Sequence, residues 1–237
     1  MTEIYNWLIY QYNITFIVKD RYLLFLEGFR NTLIIACCAA VIGIIIGAIV
    51  AMVRVYYAQT GKLKVLNAIL GGYLAFFRGT PIVVQLLLMY YIILQNIHNG
   101  LVVAVITFGI NSGAYMAETF RAGIMSVDIG QTEAGRSLGL PAFTTLFYII
   151  LPQAVKNVLP AIGNEFITLL KDTSVVGYIA IRDFARAGEN VRIATGEPYF
   201  SLIFMALIYF IMVSGFTKLL KNVERRLAKS DRSNKPA

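Results

Sequence analysis

Histidine and cysteine are scarce: one histidine, His98, and two cysteines stand in 237 residues. Cys37 and Cys38 are adjacent, so on a helix they point apart, and neither a mutual disulfide nor a metal-ligand spacing follows. They read as two small packing residues. A lone histidine in a short expected loop cannot complete a Ser/His/Asp or Cys/His arrangement, which argues against a membrane hydrolase. No G-x-x-x-x-G-K-[ST] occurs, so a phosphate-binding loop of that kind is absent. Charge is also scarce. Asp, Glu, Lys and Arg make up 14% of the chain, against about 25% in a soluble domain. There is no self-similarity at a period of about 20–50 residues, nor the half-to-half duplication of many secondary transporters.

Apolar residues are abundant, at 58%. That is more than a single core of this length can bury, and it makes a bilayer the natural solvent. Residues 31–53 carry no charge and exceed the roughly 20 residues a spanning helix needs. Further runs lie at about 81–97, 101–125, 157–181 and 199–217, so the expectation is an all-α membrane protein with five spans. Residues 1–30 read as a retained extracytoplasmic arm, because a cleavable signal would put a basic cluster and its apolar stretch at the very start. Gly43 and Gly47 form a G-x-x-x-G that permits close approach of another helix. Thr80 and Pro81 suit the start of the second span. Residues 65–77 before it form either a shorter helix at the interface or the first part of a long, broken span.

The net charge of +8 is unevenly placed. Arg54, Lys62, Lys64 and Arg78 lie between the first two expected spans with no acid among them, and the tail 218–237 holds seven basic and two acidic residues. Residues 1–30, 92–100 and 181–198 balance to zero. Loops rich in Lys and Arg stay in the cytoplasm. The expected topology therefore has the N-terminus outside, the C-terminus inside and an odd number of spans.

Residues 128–141, D-I-G-Q-T-E-A-G-R-S-L-G-L-P, interrupt this apolar chain on the cytoplasmic side. Asp128 and Gln131 have capping-box spacing, Gly139 suits the position after a helix, and Pro141 blocks continuation. The expectation is two helical turns over Gln131–Leu138, then a second helical segment opening at Pro141 and ending near Leu151-Pro152. A polar helix this short is marginal without tertiary support. It is either a docking knob for a cytoplasmic partner or an ordinary structured loop.

Glu133-Ala134-Gly135, Gly139 and Leu151-Pro152 resemble the loop motif of the membrane-spanning subunits of bacterial ABC importers: E-A-A, three residues, G, then I-x-L-P. Glu to Gly is six positions and Glu to Pro nineteen, as in that motif. Gly135 replaces the usual second alanine, a departure expected to loosen the helix. F-R-G-T-P-I-V-V-Q-L (77–86), A-Y-M-A-E-T-F-R-A-G-I (114–124), L-P-Q-A-V-K-N-V-L-P-A-I-G-N-E-F (151–166) and L-K-D-T-S-V-V (170–176) are similar to the polar-amino-acid permease group. The resemblance covers roughly residues 20–228. It implies a type I ABC importer permease fold with a cytoplasmic coupling loop over 126–152. It also implies two ATPase subunits, a second permease that is identical or a close paralogue, and an extracytoplasmic amino-acid-binding protein. The setting implied is a bacterial plasma membrane. ATP and magnesium would be used by the ATPase, with no cofactor on this chain and no nucleic-acid partner. The coupling residues would be Asp128, Gln131, Glu133, Ala134, Gly135, Arg136, Ser137, Leu138 and Gly139.

Ionisable and polar residues inside spans are costly and default to functional candidates. The third span holds Asn111, Ser112, Tyr115, Glu118 and Arg121. The fourth holds Asn164, Thr168, Lys171 and Asp172, with Gly177 beyond them to let the helix open. Glu118 and Arg121 are three apart and can pair. Glu118, Asn111 and Asp172 could accept an ammonium; Asn164 and Thr168 could donate to a carboxylate. Ser112, Tyr115 and Lys171 complete the candidate pathway. A permease for another small solute and an ion-channel subunit are the other readings, separated by transport assays with binding proteins and by the ATP-dependence of flux.

Overall fold

The computed structural model describes residues 2–233, with side chains to residue 226. No strand is present among the described residues. Helices α1 (Thr2–Tyr12), α2 (Tyr22–Thr60), α3 (Lys64–Gly79), α4 (Ile82–Leu88) and α5 (Gly100–Met125) are followed by a short α6 (Ile129–Ser137) and α7 (Ala142–Thr145). Then come α8 (Leu151–Asp172), α9 (Phe184–Thr195) and α10 (Pro198–Ser233). Four stretches are long and apolar enough to cross a membrane: Tyr22–Thr60, Gly100–Met125, Ala142–Ile179 and Pro198–Arg226. The bent pair Lys64–Gly79 and Ile82–Ile93 makes a fifth if counted as one span.

α5 (Gly100–Met125) matches the expected span 101–125 and α10 starts within one residue of the expected 199, while other helix boundaries differ. α2 runs to Thr60, so Arg54 is a helical residue and not part of a loop. The region of the expected second span holds two helical segments, α3 and Ile82–Ile93, interrupted at Thr80-Pro81. Pro81 restricts Thr80 to extended backbone, φ −120° and ψ 149°, and the Thr80 hydroxyl donates to the carbonyl of Phe76 (2.8 Å). The segment opening at Pro141 does not end at Leu151-Pro152. A π-helical turn at Leu146–Ile150 leads directly into α8. Such a wider turn re-registers the carbonyls just ahead of a proline that brings no N–H. Lys218–Ser233 continue α10 as helix; residues 234–237 of the expected tail lie outside the described residues.

The chain divides into two units. The first comprises Met1–Ala39, Ile82–Phe108 and Thr168–Phe216. Its core is aromatic: Phe25, Phe184, Ala187 and Val191 are buried, with Phe16 and Phe204 packed on them. Rings meet edge to face, Phe16–Phe204 at 4.7 Å and Phe25–Phe204 at 5.1 Å, the arrangement the ring quadrupole favours. The segment between the last two expected spans, taken from the sequence as a plain outer loop, contains α9. Asp183 caps it, and Phe184, Ala187, Gly188 and Val191 bury one face at helical spacing.

The second unit comprises Ala40–Pro81, Gly109–Ile167 and Thr217–Ala237. Here the C-terminal half of α2 packs on α5 through small residues. A Cβ on Gly43 would lie 2.7 Å from Ser112 Oγ, and Gly47 is closed off by Met116 and Ala117. The G-x-x-x-G thus brings α2 against α5 of the same chain. Cys37 and Cys38, read from sequence as packing residues, are free and exposed on α2.

Candidate functional site

The loop after α5 is built by local chemistry. The Asp128 carboxylate accepts from the Gly130 N–H at 2.7 Å and starts α6. The expected reciprocal bond from Gln131 is replaced by a longer contact: Gln131 Oε1 faces the Gln153 amide of α8 at 3.5 Å. α6 ends in a Schellman arrangement. Leu140 N–H bonds Gly135 O (3.2 Å), Gly139 N–H bonds Arg136 O (3.0 Å), and Gly139 has φ +79°. The helix begins two residues earlier than the sequence suggested because Asp128, not Gln131, sets its start.

Gly135 is the buried residue of α6. A Cβ there would meet Thr145 Cγ2 at 2.7 Å and Ile149 Cδ1 at 3.0 Å. The departure from E-A-A is therefore a close-packing requirement and not a loosening. On the other face Gln131, Glu133, Ala134, Arg136 and Ser137 are exposed. They are flanked by apolar side chains left in the open: Ile129 at 73%, Leu138 at 80%, Phe143 at 69% and Tyr148 at 79% exposure. Leu146 and Ile150 hold the buried side of the following segment. Asn157 of α8 donates to the Ser126 hydroxyl at the end of α5 (2.9 Å). This is a short rigid helix, capped at both ends and seated by glycine, that presents a mixed charged and apolar surface.

The third-span candidates separate into two groups. Asn111 and Ser112 are buried. Asn111 donates to the carbonyl of Phe77 at 3.1 Å, beside the Tyr73 hydroxyl that donates to Ile110 O at 2.6 Å, so this pair fastens α3 to α5. Ser112 lies against Gly43 of α2. Tyr115 is exposed, with the Arg78 guanidinium 5.7 Å from its ring centre. Glu118 sits between two arginines: Arg121 Nη2 at 2.9 Å and Arg54 Nη1 at 3.3 Å. Arg54 was absent from the sequence candidates because it lay beyond the apolar run. Both Glu118 oxygens are occupied, so a substrate ammonium would have to compete with two guanidinium groups.

In α8, Asn164, Thr168 and Lys171 recur at spacings of four and three and are all exposed, while Ile167, Leu169 and Leu170 are buried. Asp172 is half-buried beside Lys171, and Thr173–Ile179 tighten into a 3₁₀ turn that ends at Ala180 with φ 60°. In the first unit, Lys171 and Ser174 line a cavity of about 390 Å³ with Tyr209, Phe210 and Val213.

A further polar cluster was not anticipated. Asp183 is fully buried. Its carboxylate accepts from Ala185 N and Arg186 N, both at 3.0 Å, and from the Tyr209 hydroxyl at 3.4 Å. Asn31 donates to Arg182 O (2.8 Å), and Phe184 N donates to the Thr32 hydroxyl (3.1 Å). Burial pushes the Asp183 carboxyl above the ordinary range, against the pull of the two backbone N–H groups and the Tyr209 hydroxyl. The N-cap signature D-F-A-R was the one sequence signal that pointed there. Among the described residues no group of histidine, cysteine and acidic side chains could hold a metal.

The family described as binding-protein-dependent transport system inner membrane component matches residues 43–229. The arginine transport system permease protein of Bacillus subtilis is 36% identical over 209 residues, 87% of this chain and 93% of that protein. The glutamine transport system permease protein of Escherichia coli is 32% identical over 208 residues, 86% and 93%. A crystal structure of an amino acid ABC transporter with histidines superposes with TM-score 0.80 at 39% identity, covering 89% of this chain and 98% of that one. An inward-facing methionine ABC transporter, at 18% identity, TM-score 0.75 and coverage of 86% and 96%, shares the fold.

Proposed function

The chain belongs to the family of binding-protein-dependent transport system inner membrane components, and from that premise we propose that it is the permease subunit of an ATP-driven importer of polar amino acids. The relatives named for arginine and glutamine transport, and the solved transporter with histidines, support that substrate class. The chain works with two ATPase subunits, which use ATP and magnesium, with a second permease, and with an external binding protein. α6 docks on the ATPase through Glu133 and exposed apolar side chains such as Leu138 and Phe143. The face of α8 that carries Asn164, Thr168 and Lys171 lines the passage opposite its counterpart in the second permease. That face carries the proposal: Asn164, Thr168 and Lys171 share one exposed side of α8 while Ile167, Leu169 and Leu170 are buried, and polar side chains within a span are functional candidates by default. Asn111 and Ser112, held within the helix packing, support the passage from behind. Glu118 positions Arg54 and Arg121 and does not bind the substrate ammonium.

The test is uptake in proteoliposomes that contain the assembled transporter and its loaded binding protein. Asn164→Leu combined with Thr168→Val is expected to reduce uptake at least tenfold with assembly and basal ATP hydrolysis retained. Glu118→Gln is expected to scale uptake of cationic and neutral amino acids by the same factor. Selective loss of cationic substrates would place Glu118 in the substrate site instead.

Topology is tested in a Cys37→Ser, Cys38→Ser background. A cysteine at Asn6 is expected to react with a membrane-impermeant thiol reagent from outside, and one at Lys221 only from the cytoplasmic side. Labelling of both from one side would overturn the odd number of spans.

A further inference from the structure

A cavity of about 620 Å³ opens in the second unit, between the end of α2, the end of α5 and the α6–α7 segment. Arg54, Arg121 and Arg136 line it, one from each of α2, α5 and α6. Most of the remaining wall is apolar, with Val55, Leu146 and Ile150 among it, and no carboxylate lines it among the described residues. Glu118, outside the lining, pairs with Arg54 and Arg121. Arg136 donates to the carbonyl of Leu140 at 2.7 Å, a bond that leaves its charge uncompensated. Three guanidinium groups against one carboxylate leave two positive charges facing an apolar chamber.

We propose that this cavity binds an anionic phospholipid, its phosphate held by the three arginines and one acyl chain laid along the apolar wall. Guanidinium groups suit phosphate because their planar forks offer paired donors with charge. The volume falls in the range of pockets that enclose ligands far larger than a bare anion, about 300–1,000 Å³. A free phosphate would satisfy the arginines but leave the apolar wall in water. An uncharged lipid would do the reverse. The charge placement that puts this loop in the cytoplasm also puts the cavity at the leaflet richest in anionic lipid. The lipid would tie the end of α2 to α6 and stabilise the seat of the docking helix. The inference rests on the cytoplasmic placement of the loop and is independent of what the transporter carries.

The assembled transporter in detergent is equilibrated with mixed micelles of phosphatidylglycerol and phosphatidylcholine, and retained lipid is counted by native mass spectrometry. Wild type is expected to retain phosphatidylglycerol at least fivefold over phosphatidylcholine. Ala58→Phe fills the cavity without changing charge, and Arg54→Gln removes one donor. Each should lower that retention at least fivefold. Lys62→Gln, an exposed cation outside the lining, should not. Neither inorganic phosphate nor glycerol phosphate at 10 mM (roughly 10³–10⁴ times a micromolar Kd) should displace the lipid. No preference in wild type overturns the proposal without reference to any variant. Equal loss with Lys62→Gln would mean diffuse attraction to the basic surface. Displacement by inorganic phosphate would mean an anion site with no acyl contribution. Uptake is not read in this experiment, so failure here leaves the transport reading intact, and loss of that reading leaves lipid retention measurable.

Discussion

Gly135→Ala is expected to abolish most stimulation of ATP hydrolysis by loaded binding protein while leaving the subunit inserted and assembled. Alanine is the better helix former, by about 1 kcal/mol, so propensity alone forecasts a gain. Packing reverses it. The new Cβ would stand 2.7 Å from Thr145 Cγ2 and 3.0 Å from Ile149 Cδ1. Thr145 cannot easily turn away: it is buried, β-branched, and donates to Pro141 O at 3.2 Å. Overpacking of this kind costs about 1–3 kcal/mol, enough to shift a seated helix by roughly 5- to 150-fold in its equilibrium. The second cycle partner is Thr145→Ser, which removes Cγ2 and keeps the hydroxyl. In the double variant, stimulation should recover to within about threefold of wild type, as expected for residues in direct contact. If Gly135→Ala stimulates normally, the close fit of α6 against the following segment has no part in coupling. If the double variant is no better than the single, the collision with Thr145 is not the cause.

Asp183→Ala should give the largest loss of stability. It removes an N-cap, worth about 0.5–2 kcal/mol, and leaves the part-buried N–H groups of Ala185 and Arg186 and the Tyr209 hydroxyl without their acceptor. A fully buried group left unsatisfied costs about 1–3 kcal/mol, an upper bound for these part-buried donors. The readout is the melting temperature of the assembled transporter in detergent, with Asp183→Asn, which keeps one acceptor, falling between. The carboxyl stands above its ordinary value of 3.8 through burial. The folded protein therefore takes up a proton at a pH where the unfolded chain does not. This contribution to stability is fully present below 3.8 and is lost as pH rises through the folded value. Asp183→Asn lacks it, so its deficit relative to wild type should shrink as pH rises through that window. A melting temperature for Asp183→Ala equal to that of wild type would show that the buried cluster of the first unit does not hold α9 in place.

The sequence alone determined the membrane class, because a chain with 58% apolar residues and 14% charge has no soluble solution. It also determined α6, because Asp128 and Gly139 act on backbone groups within three residues of themselves. Local chemistry is legible from a single strand of text. What it did not determine was which side of each span meets protein. In a soluble helix the apolar stripe marks the core, but in lipid both faces are apolar and periodicity loses its meaning. Asn111 and Ser112 looked like passage residues until Phe77 and Gly43, far away in the chain, were found against them. Gly135 looked like a softening of α6 until Thr145 and Ile149 filled the space beside it. Arg54 looked like a loop charge until α2 carried it to Glu118. The buried Asp183 cluster required α2, α9 and α10 to meet. In each case the deciding partner is distant in sequence, and only tertiary packing supplies the neighbour that makes a polar side chain affordable or a methyl group impossible.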